Sequence, residues 1–445
     1  MVTELFAVVG KPVLHSMSPQ MHNAAFHALG MDAVYVRLAA ESAEDALESA
    51  GVIGISGMNV TAPFKEEMAA LVQAGDEAVR KLAAVNTVLM RDGNTIGYNT
   101  DPDGVAGALQ ESKVPVKGKQ AVVLGAGGAA KAASFALVEG GADVIVANRT
   151  AEKAKAIAKM LGCGHCALDD MDALRGADIL VSALNTGERV IEPVLLKKNI
   201  AVLDANYSTE TALVRDAKKK GCRTIDGREW LLYQGVRAFE LFSKRKAPVA
   251  VMRKALYARN SKPKTKSPKH TTGNLALIGM MGSGKDATAK ALGRSSGMGI
   301  MDVDAEIERK AGKKIKDIFA NKGEEAFRRM ESREIREVAN ARNKIVNCGG
   351  GAVLKTQNRK TLNRNSLVVW LWAKPSVMVK RVAGDDSRPL LHAPEHEKEV
   401  ILTRLLGNRR RFYAETADLM IDTGGRSAGQ VAERILYEVH KARGD

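Results

Sequence analysis

Two glycine-rich segments carry the sharpest chemistry in this chain. The first is Gly279-Met-Met-Gly282-Ser283-Gly284-Lys285, directly after the apolar run Leu275–Ile278. This is the G-x-x-x-x-G-K spacing. The backbone N–H groups of such a loop, set between a strand and a helix, can cradle phosphates, and Lys285 can reach the β and γ oxygens. Gly279, Gly282, Ser283, Gly284, Lys285, Asp286 and Ala287 are therefore the candidate nucleotide contacts. The position after the lysine ordinarily holds Ser or Thr, whose hydroxyl ligates Mg²⁺. Here it is Asp286. A carboxylate is a good hard ligand for Mg²⁺, but it also adds negative charge beside phosphates. Asp286 either ligates the metal directly or impairs the site.

The second segment is Gly125-Ala126-Gly127-Gly128-Ala129-Ala130, at the end of the run Ala121–Leu124 and ahead of a helical pattern. The first glycine permits a tight turn and the second lets backbone approach a pyrophosphate. Ala130 is small enough at the third position for helix and strand to pack closely. The helix N-terminus then faces the phosphates. About 20 residues further on, the next strand ends Ala147-Asn148-Arg149-Thr150, with Lys153 following. An NAD site wants an acid there for the ribose 2′-hydroxyl; Arg149 and Lys153 suit a 2′-phosphate instead. The expected cofactor is NADP, held by residues 125–130 with Asn148, Arg149, Thr150 and Lys153.

These loops need parallel sheets to position them. Apolar runs at Phe6–Val9, Ala33–Arg37, Gly54–Asn59, Ala121–Leu124, Asp143–Ala147, Ile179–Ser182 and Ala201–Asp204 alternate with amphipathic stretches. This is a β-α-β rhythm. It restarts at Leu275–Ile278, Ile300–Asp302, Lys344–Asn347, Leu367–Leu371 and Asp418–Ile421. Between the two series lies Asn260–Thr272, with two prolines, four lysines, no acid and no large apolar residue. It reads as a solvated linker. As a flexible coil it would span about 20 Å, holding its flanks close without orienting them. The fold class is α/β, with 1–105 and 228–258 forming one lobe, 106–227 a Rossmann domain, 259–272 the linker and 273–445 a phosphate-loop domain.

Composition narrows the function classes. Apolar residues make up 45% of 445, enough for real cores. No apolar run reaches the roughly 18 residues that span a bilayer, and Leu5–Val9 reads as a first strand, not a signal peptide. The net charge of +16 raises nucleic acid as a partner, but the basic residues are scattered and aromatics are only 4%, poor for base stacking. Anionic small molecules fit the charge better. Cys163 and Cys166 form a C-x-x-C, yet no second ligand pair follows at zinc spacing, so they read as reduced thiols in a cytoplasmic protein.

Further polar clusters precede the Rossmann loop: Gly10-Lys-Pro-Val-Leu-His-Ser16-Met-Ser18-Pro19, Asn59-Val-Thr61-Ala-Pro63-Phe-Lys65, Ala84-Val-Asn86-Thr87 and Asn99-Thr100-Asp101-x-x-Gly104. Asp226-Gly227-x-x-Trp230-Leu231-x-x-Gln234 follows it. Together and in this order they resemble the shikimate dehydrogenase family over residues 1–258. The resemblance implies Lys65 and Asp101 as the catalytic pair and Ser16 and Ser18 on the substrate carboxylate. It implies Asn59, Thr61, Asn86 and Gln234 on ring hydroxyls, Tyr207 near the carboxylate, and Gly227 at the cofactor. Reducing a ketone needs a hydride and a proton, and a lysine paired with an aspartate can shuttle that proton. Two stretches depart from the family pattern: Ser182-Ala-Leu184-Asn185-Thr186-Gly187, and Asp204-Ala-Asn206-Tyr207-Ser208, which lacks a proline after the tyrosine.

After the linker the chain resembles shikimate kinase over 273–445, a nucleoside monophosphate kinase-like fold. Asp302-Val-Asp304 matches its D-x-D, implying Asp302 toward Mg²⁺ and Asp304 as substrate ligand and base. Phe327-Arg328-x-x-Glu331 implies Arg328 on the substrate carboxylate, with Arg409 beside it. Gly349-Gly350-Gly351 implies close backbone approach to the ring. Ser387-Arg388-Pro389-Leu390-Leu391 implies a lid with Arg388 on the transferred phosphate, and the resemblance places Arg381 against the adenine. The two resemblances imply NADPH-dependent reduction of 3-dehydroshikimate to shikimate, then phosphorylation of shikimate by MgATP. The partners expected are those substrates, with no nucleic acid and no membrane; monomer and homodimer both stay open. A quinate-type dehydrogenase, or a nucleotide-binding module with impaired kinase activity, are the rival readings.

Overall fold

A computed structural model describes residues 3–443 except 92, 171, 185, 208, 259–272, 339 and 383–393. The linker, Asn185, Ser208 and the whole segment carrying Arg388 lie outside the described residues. Among those described, the strands in chain order are β1 (Glu4–Gly10), β2 (Ala33–Ala39), β3 (Ile55–Val60), β4 (Gln73–Ala74), β5 (Thr87–Arg91), β6 (Asn94–Tyr98), β7 (Gln120–Leu124), β8 (Asp143–Asn148), β9 (Gly164–Ala167), β10 (Ile179–Ser182), β11 (Ala201–Asp204), β12 (Arg223–Ile225), β13 (Asn274–Ile278), β14 (Gly299–Asp302), β15 (Lys344–Asn347), β16 (Ser366–Trp372) and β17 (Leu419–Asp422). Every apolar run expected as a strand is one. Two compact units result: Met1–Pro63 with Ala258–Asp445, and Phe64–Tyr257.

In the first unit the strands run in the order β14-β15-β13-β16-β17-β2-β1-β3, all pairs parallel. β16 is buried at all seven positions, as befits a strand covered on both faces. From β13 the chain connects to strands on either side, so the crevice beyond its carboxyl end is a topological switch point, where open α/β sheets bind ligands. The phosphate loop emerges there. Backbone pairing joins the two halves of the chain. β17 pairs with β2 in parallel register, Met420 beside Leu38 and Ile421 beside Ala39. Backbone pairing orients these segments relative to one another.

In the second unit a six-stranded parallel sheet has the order β12-β11-β10-β7-β8-β9. Its switch point lies between β7 and β10. Alternation of period two sends Ala121 and Val123 to one core and Val122 and Leu124 to the other. The second unit also holds β5 and β6, paired antiparallel, with β4 pairing in parallel to β6. Among the described residues, no helix is long and apolar enough to cross a membrane.

Candidate active sites

The phosphate loop leads from β13 into the helix Lys285–Ser296, whose N-cap is Gly284. Gly279, Gly282 and Gly284 have φ of 148°, 74° and 88°. A side chain there would be strained, and at Gly282 a Cβ would also come within 2.6 Å of the Met378 carbonyl oxygen. Lys285 is buried, its Nζ donating to the Met280 carbonyl at 2.9 Å. The loop opens on a cavity of about 1090 Å³. Gly282, Gly284, Lys285, Asp286, Ala287, Asp302, Asp304, Arg328, Gly349, Gly350, Gly351, Arg381 and Arg409 all line it. Of the remaining loop residues, Ser283 is wholly buried and Gly279 turns the backbone at the strand end.

Within that cavity Asn347, the last residue of β15, donates from Nδ2 to Asp286 Oδ1 at 2.8 Å and to Asp302 Oδ2 at 2.7 Å. One amide thus gathers both carboxylates. Asp302 also caps the helix Val303–Ala311, its Oδ1 accepting from Ala305 N at 2.9 Å. Two acidic oxygens in one place, at the mouth of a phosphate loop, make a donor set that fits a hard divalent cation.

The other end of the cavity is built around Gly349-Gly350-Gly351. A Cβ on Gly349 would sit 2.8 Å from Asp304 Oδ1 and 3.0 Å from Glu331 Oε1, and one on Gly351 would collide with the Arg328 guanidinium. Arg409 Nη1 donates to Gly350 O at 3.3 Å, and Tyr413 OH donates to the same oxygen at 2.5 Å. Arg328 Nη1 donates to both oxygens of the buried Glu331, each at 3.0 Å. Burial pushes the Glu331 carboxyl up to about 7, against the pull of Arg328 and with Asp304 adding to the rise. Two guanidiniums and two carboxyl groups therefore face a strip of bare backbone. That arrangement can hold an anionic ring bearing hydroxyls. Arg381 is fixed beside the loop, donating from Nη1 to Thr423 Oγ1 at 2.9 Å and from Nη2 to Thr423 O at 2.6 Å.

In the second unit, the Rossmann loop follows β7. Gly125 has φ of 111°, and a Cβ there would approach Ala183 O at 3.1 Å. Gly127 is the N-cap of the helix Gly128–Glu139, and a Cβ on Gly127 or Gly128 would meet nothing within 4 Å. That open space beside helix N–H groups, with Ala129 and Ala130 in the first turn, fits a pyrophosphate. Ala130 is fully buried against the sheet. β8 brings Asn148 alongside, since Gly125 N donates to Ala147 O at 2.8 Å. Asn148 Nδ2 donates to Thr150 O at 3.0 Å, and Arg149 and Lys153 are exposed. Gly227 starts the helix Gly227–Ser243 tight against β11, where a Cβ would strike the Asp204 carbonyl.

The same unit holds the expected catalytic pair. Lys65 and Asp101 each open a helix, Lys65–Leu71 and Asp101–Glu111. Lys65 Nζ donates to Asp101 Oδ2 at 2.5 Å, and Asn86 Nδ2 donates to Asp101 Oδ1 at 2.8 Å. Asn86 is itself fixed by Thr100 N, which donates to its Oδ1 at 2.7 Å. Asp101 is thus held at both oxygens, with its anion at a helix N-terminus. Gln234 is buried, donating to Leu231 O at 2.8 Å, and Tyr207 is half-buried beyond β11. In the first unit, Ser16 Oγ lies 3.3 Å from Ser18 Oγ, and Asn59 Oδ1 accepts from Tyr35 OH at 2.6 Å. Thr61 is tied through its N–H to Val9 O at 2.9 Å.

Sequence reasoning passed over Asn347, Glu331 and Thr423. Asn347 had a signal, a polar side chain closing an apolar strand immediately before a glycine run. Glu331 lay inside the arginine motif without a role. Thr423 follows β17 and has no local signature. Cys163 and Cys166 are free thiols, both raised by burial.

Known proteins resemble both halves of the chain. The family model for the shikimate dehydrogenase substrate binding domain matches residues 8–88, that for shikimate / quinate 5-dehydrogenase 108–212, and that for the shikimate 5′-dehydrogenase C-terminal domain 227–257. The shikimate kinase model matches 281–440. An NADP⁺ shikimate dehydrogenase of Halobacterium salinarum is 44% identical over 265 residues, 58% of this chain and 99% of the relative. The shikimate 5-dehydrogenase of Thermus thermophilus, solved with NADP(H) and shikimate, is 34% identical with a TM-score of 0.53, covering 57% of this chain and 98% of that one. A quinate dehydrogenase of Corynebacterium glutamicum, solved with NAD, is 29% identical with a TM-score of 0.54 over 57% of this chain and 98% of that one. The chain belongs to the shikimate dehydrogenase family over residues 8–257 and carries a shikimate kinase domain behind it.

Proposed function

We propose that this chain catalyses two consecutive steps of the shikimate pathway: reduction of 3-dehydroshikimate to shikimate, then phosphorylation of shikimate at its 3-hydroxyl. The carrying observation is that each half has its own chemistry for the same compound. The Lys65–Asp101 pair suits ketone reduction, and the cavity beside the phosphate loop offers Arg328, Arg409 and Asp304 to a carboxylated, hydroxylated ring.

NADPH, when bound, supplies the hydride. Lys65 Nζ delivers the proton to the developing alkoxide, and Asp101 holds that amine in place. Ser16 and Ser18 take the substrate carboxylate; Asn59, Thr61, Asn86 and Gln234 take its hydroxyls, with Tyr207 near the carboxylate. Residues 125–130 and Gly227 hold the cofactor, and Arg149 and Lys153 choose its 2′-phosphate.

ATP with Mg²⁺, when bound, supplies the phosphoryl group. Lys285 and the loop N–H groups of residues 279–287 face the phosphates, and Asp286 and Asp302 are the protein oxygens for the metal. Asp304 accepts the proton of the 3-hydroxyl. Arg328 and Arg409 hold the carboxylate over Gly349–Gly351, while Arg381 contacts the nucleotide. The Asn347 bridge supports Asp286 as part of a working metal site over the reading in which it impairs the kinase.

A coupled assay tests the whole: 3-dehydroshikimate, NADPH and MgATP in, shikimate 3-phosphate out. Shikimate accumulating without its phosphate, across a Mg²⁺ titration, would sink the second step. Rates with NADP exceeding those with NAD are expected, and quinate oxidised faster with NAD would favour the quinate reading.

A further inference from the structure

The segment Gly10–Met17 links β1 to the helix Ser18–Ala28. Its tip carries Ser16, and Ser18 opens the helix. Backbone polar groups in such a loop must find partners or lose their hydrogen bonds. Four of them are met by side chains. Val13 N and Leu14 N both donate to Glu438 Oε2, at 2.8 and 2.9 Å. Gly10 O accepts from Arg434 Nη2 at 3.1 Å. Ser16 O accepts from Arg37 Nε at 3.0 Å and Nη2 at 2.7 Å.

Two of these three side chains belong to the kinase domain's last helix, Ala428–Arg443. The third, Arg37 on β2, sends its remaining nitrogen Nη1 to the carbonyl of Asp418, just ahead of β17, at 3.2 Å. Glu438 and Arg434 bind each other at 2.8 Å, and their relative exposures are 0% and 6%. A buried carboxylate is costly unless it is fully hydrogen-bonded and paired. Here the charge is balanced by a guanidinium on one oxygen and two backbone N–H groups on the other. Burial raises the Glu438 carboxyl above its ordinary range, and the two loop amides with Arg434 pull it back. Such charge-assisted bonds fix a loop more firmly than neutral ones.

We infer that Glu438 and Arg434 of the kinase domain are positioning residues for the dehydrogenase reaction, holding the loop that presents Ser16 and Ser18 to the substrate carboxylate. This rests on the reading of those serines given above. Neither residue touches the substrate. The dehydrogenase of this chain is therefore completed by the domain fused behind it.

The test uses the full-length chain. Glu438→Leu should raise KM for 3-dehydroshikimate by about tenfold or more, the scale of losing a charge-assisted hydrogen bond. KM for NADPH should stay within about twofold. Glu438→Gln keeps an acceptor for both amides and should recover most of the loss. Ser16→Ala should raise the same KM, and combining it with Glu438→Leu should add little further, because both act on one contact. If Ser16→Ala leaves KM unchanged, the serine assignment has failed and takes this inference with it. If Ser16→Ala raises KM while folded Glu438→Leu does not, or if KM for NADPH rises in step, the inference alone is overturned. Should Glu438→Leu fail to fold, the Glu438→Leu/Arg434→Leu pair leaves no lone buried charge and is read the same way.

Discussion

At the scale of single residues, the chemistry depends on side chains held from two directions. Asp101 is gripped by Lys65 on one oxygen and Asn86 on the other. Lys65→Ala should lower the reduction rate by roughly 10²–10⁴ while NADPH still binds, as for loss of a general acid; stopped-flow reduction alongside cofactor fluorescence titration separates the two. Asn347 grips Asp286 and Asp302 together. Asp286→Ser and Asn347→Ala should both shift the Mg²⁺ concentration for half-maximal phosphorylation, and an unchanged Mg²⁺ curve in both would remove Asp286 from the metal. Glu331 carries a pH signature. Its carboxyl lies at about 7 when folded, above its ordinary value near 4.5. Between those values the folded chain keeps a proton that the unfolded chain has released, so this group's stabilisation is full below about pH 4.5 and is lost as pH rises toward about 7. Glu331→Gln should flatten that stretch of the stability curve in urea titrations. The pair Lys65–Asp101 was legible because each residue sat in a dense local motif. Asn347 was not, since its partners are 61 and 45 residues away in sequence and only sheet pairing brings them within reach.

At the scale of elements, the long apolar runs revealed themselves because buried parallel strands need apolar side chains on both faces. The short outer strands did not. β4 has two residues and β12 three, too few for a period to show. β5 and β6 did leave a trace, Asp92-Gly93 between two runs of β-formers, a strong hairpin signal that the surrounding β-α-β rhythm masked. Under the proposed function, β8 is the element that selects the cofactor. Its end runs beside the Gly125 turn, Gly125 N donating to Ala147 O, and we propose that Arg149, the residue following the strand, meets the group on the ribose. Arg149→Asp should weaken NADPH use and strengthen NADH use, moving the ratio of kcat/KM by tenfold or more, about 1.4 kcal/mol; a ratio that stays fixed would move the 2′-phosphate contact elsewhere.

At the scale of the molecule, the β17–β2 pairing was not legible in the sequence. Nothing in Leu38-Ala39 or Met420-Ile421 distinguishes a strand that ends a sheet from one that continues it. The pairing has a dynamic counterpart. Amides of β2 should exchange hydrogen at rates that follow those of β17, and ADP with shikimate bound in the kinase cavity should slow both, because ligand binding raises the cost of opening the folded state. Mass spectrometry of peptides spanning residues 33–39 reads this directly; protection in β17 alone would uncouple them.

The same pairing bears on what happens when the chain is cut. β2 ends the run of strands that the dehydrogenase half contributes, and β17 ends that of the kinase half. Each covers the other's unpaired N–H and C=O groups. Separating the halves at the linker would bare two strand edges at once, and bare edges recruit strands from other chains. Cleavage between residues 260 and 272, followed by dissociation of the halves, would thus turn each covered edge into an open template, and the first symptom would be clumping of the fragments before any loss of chemistry within them.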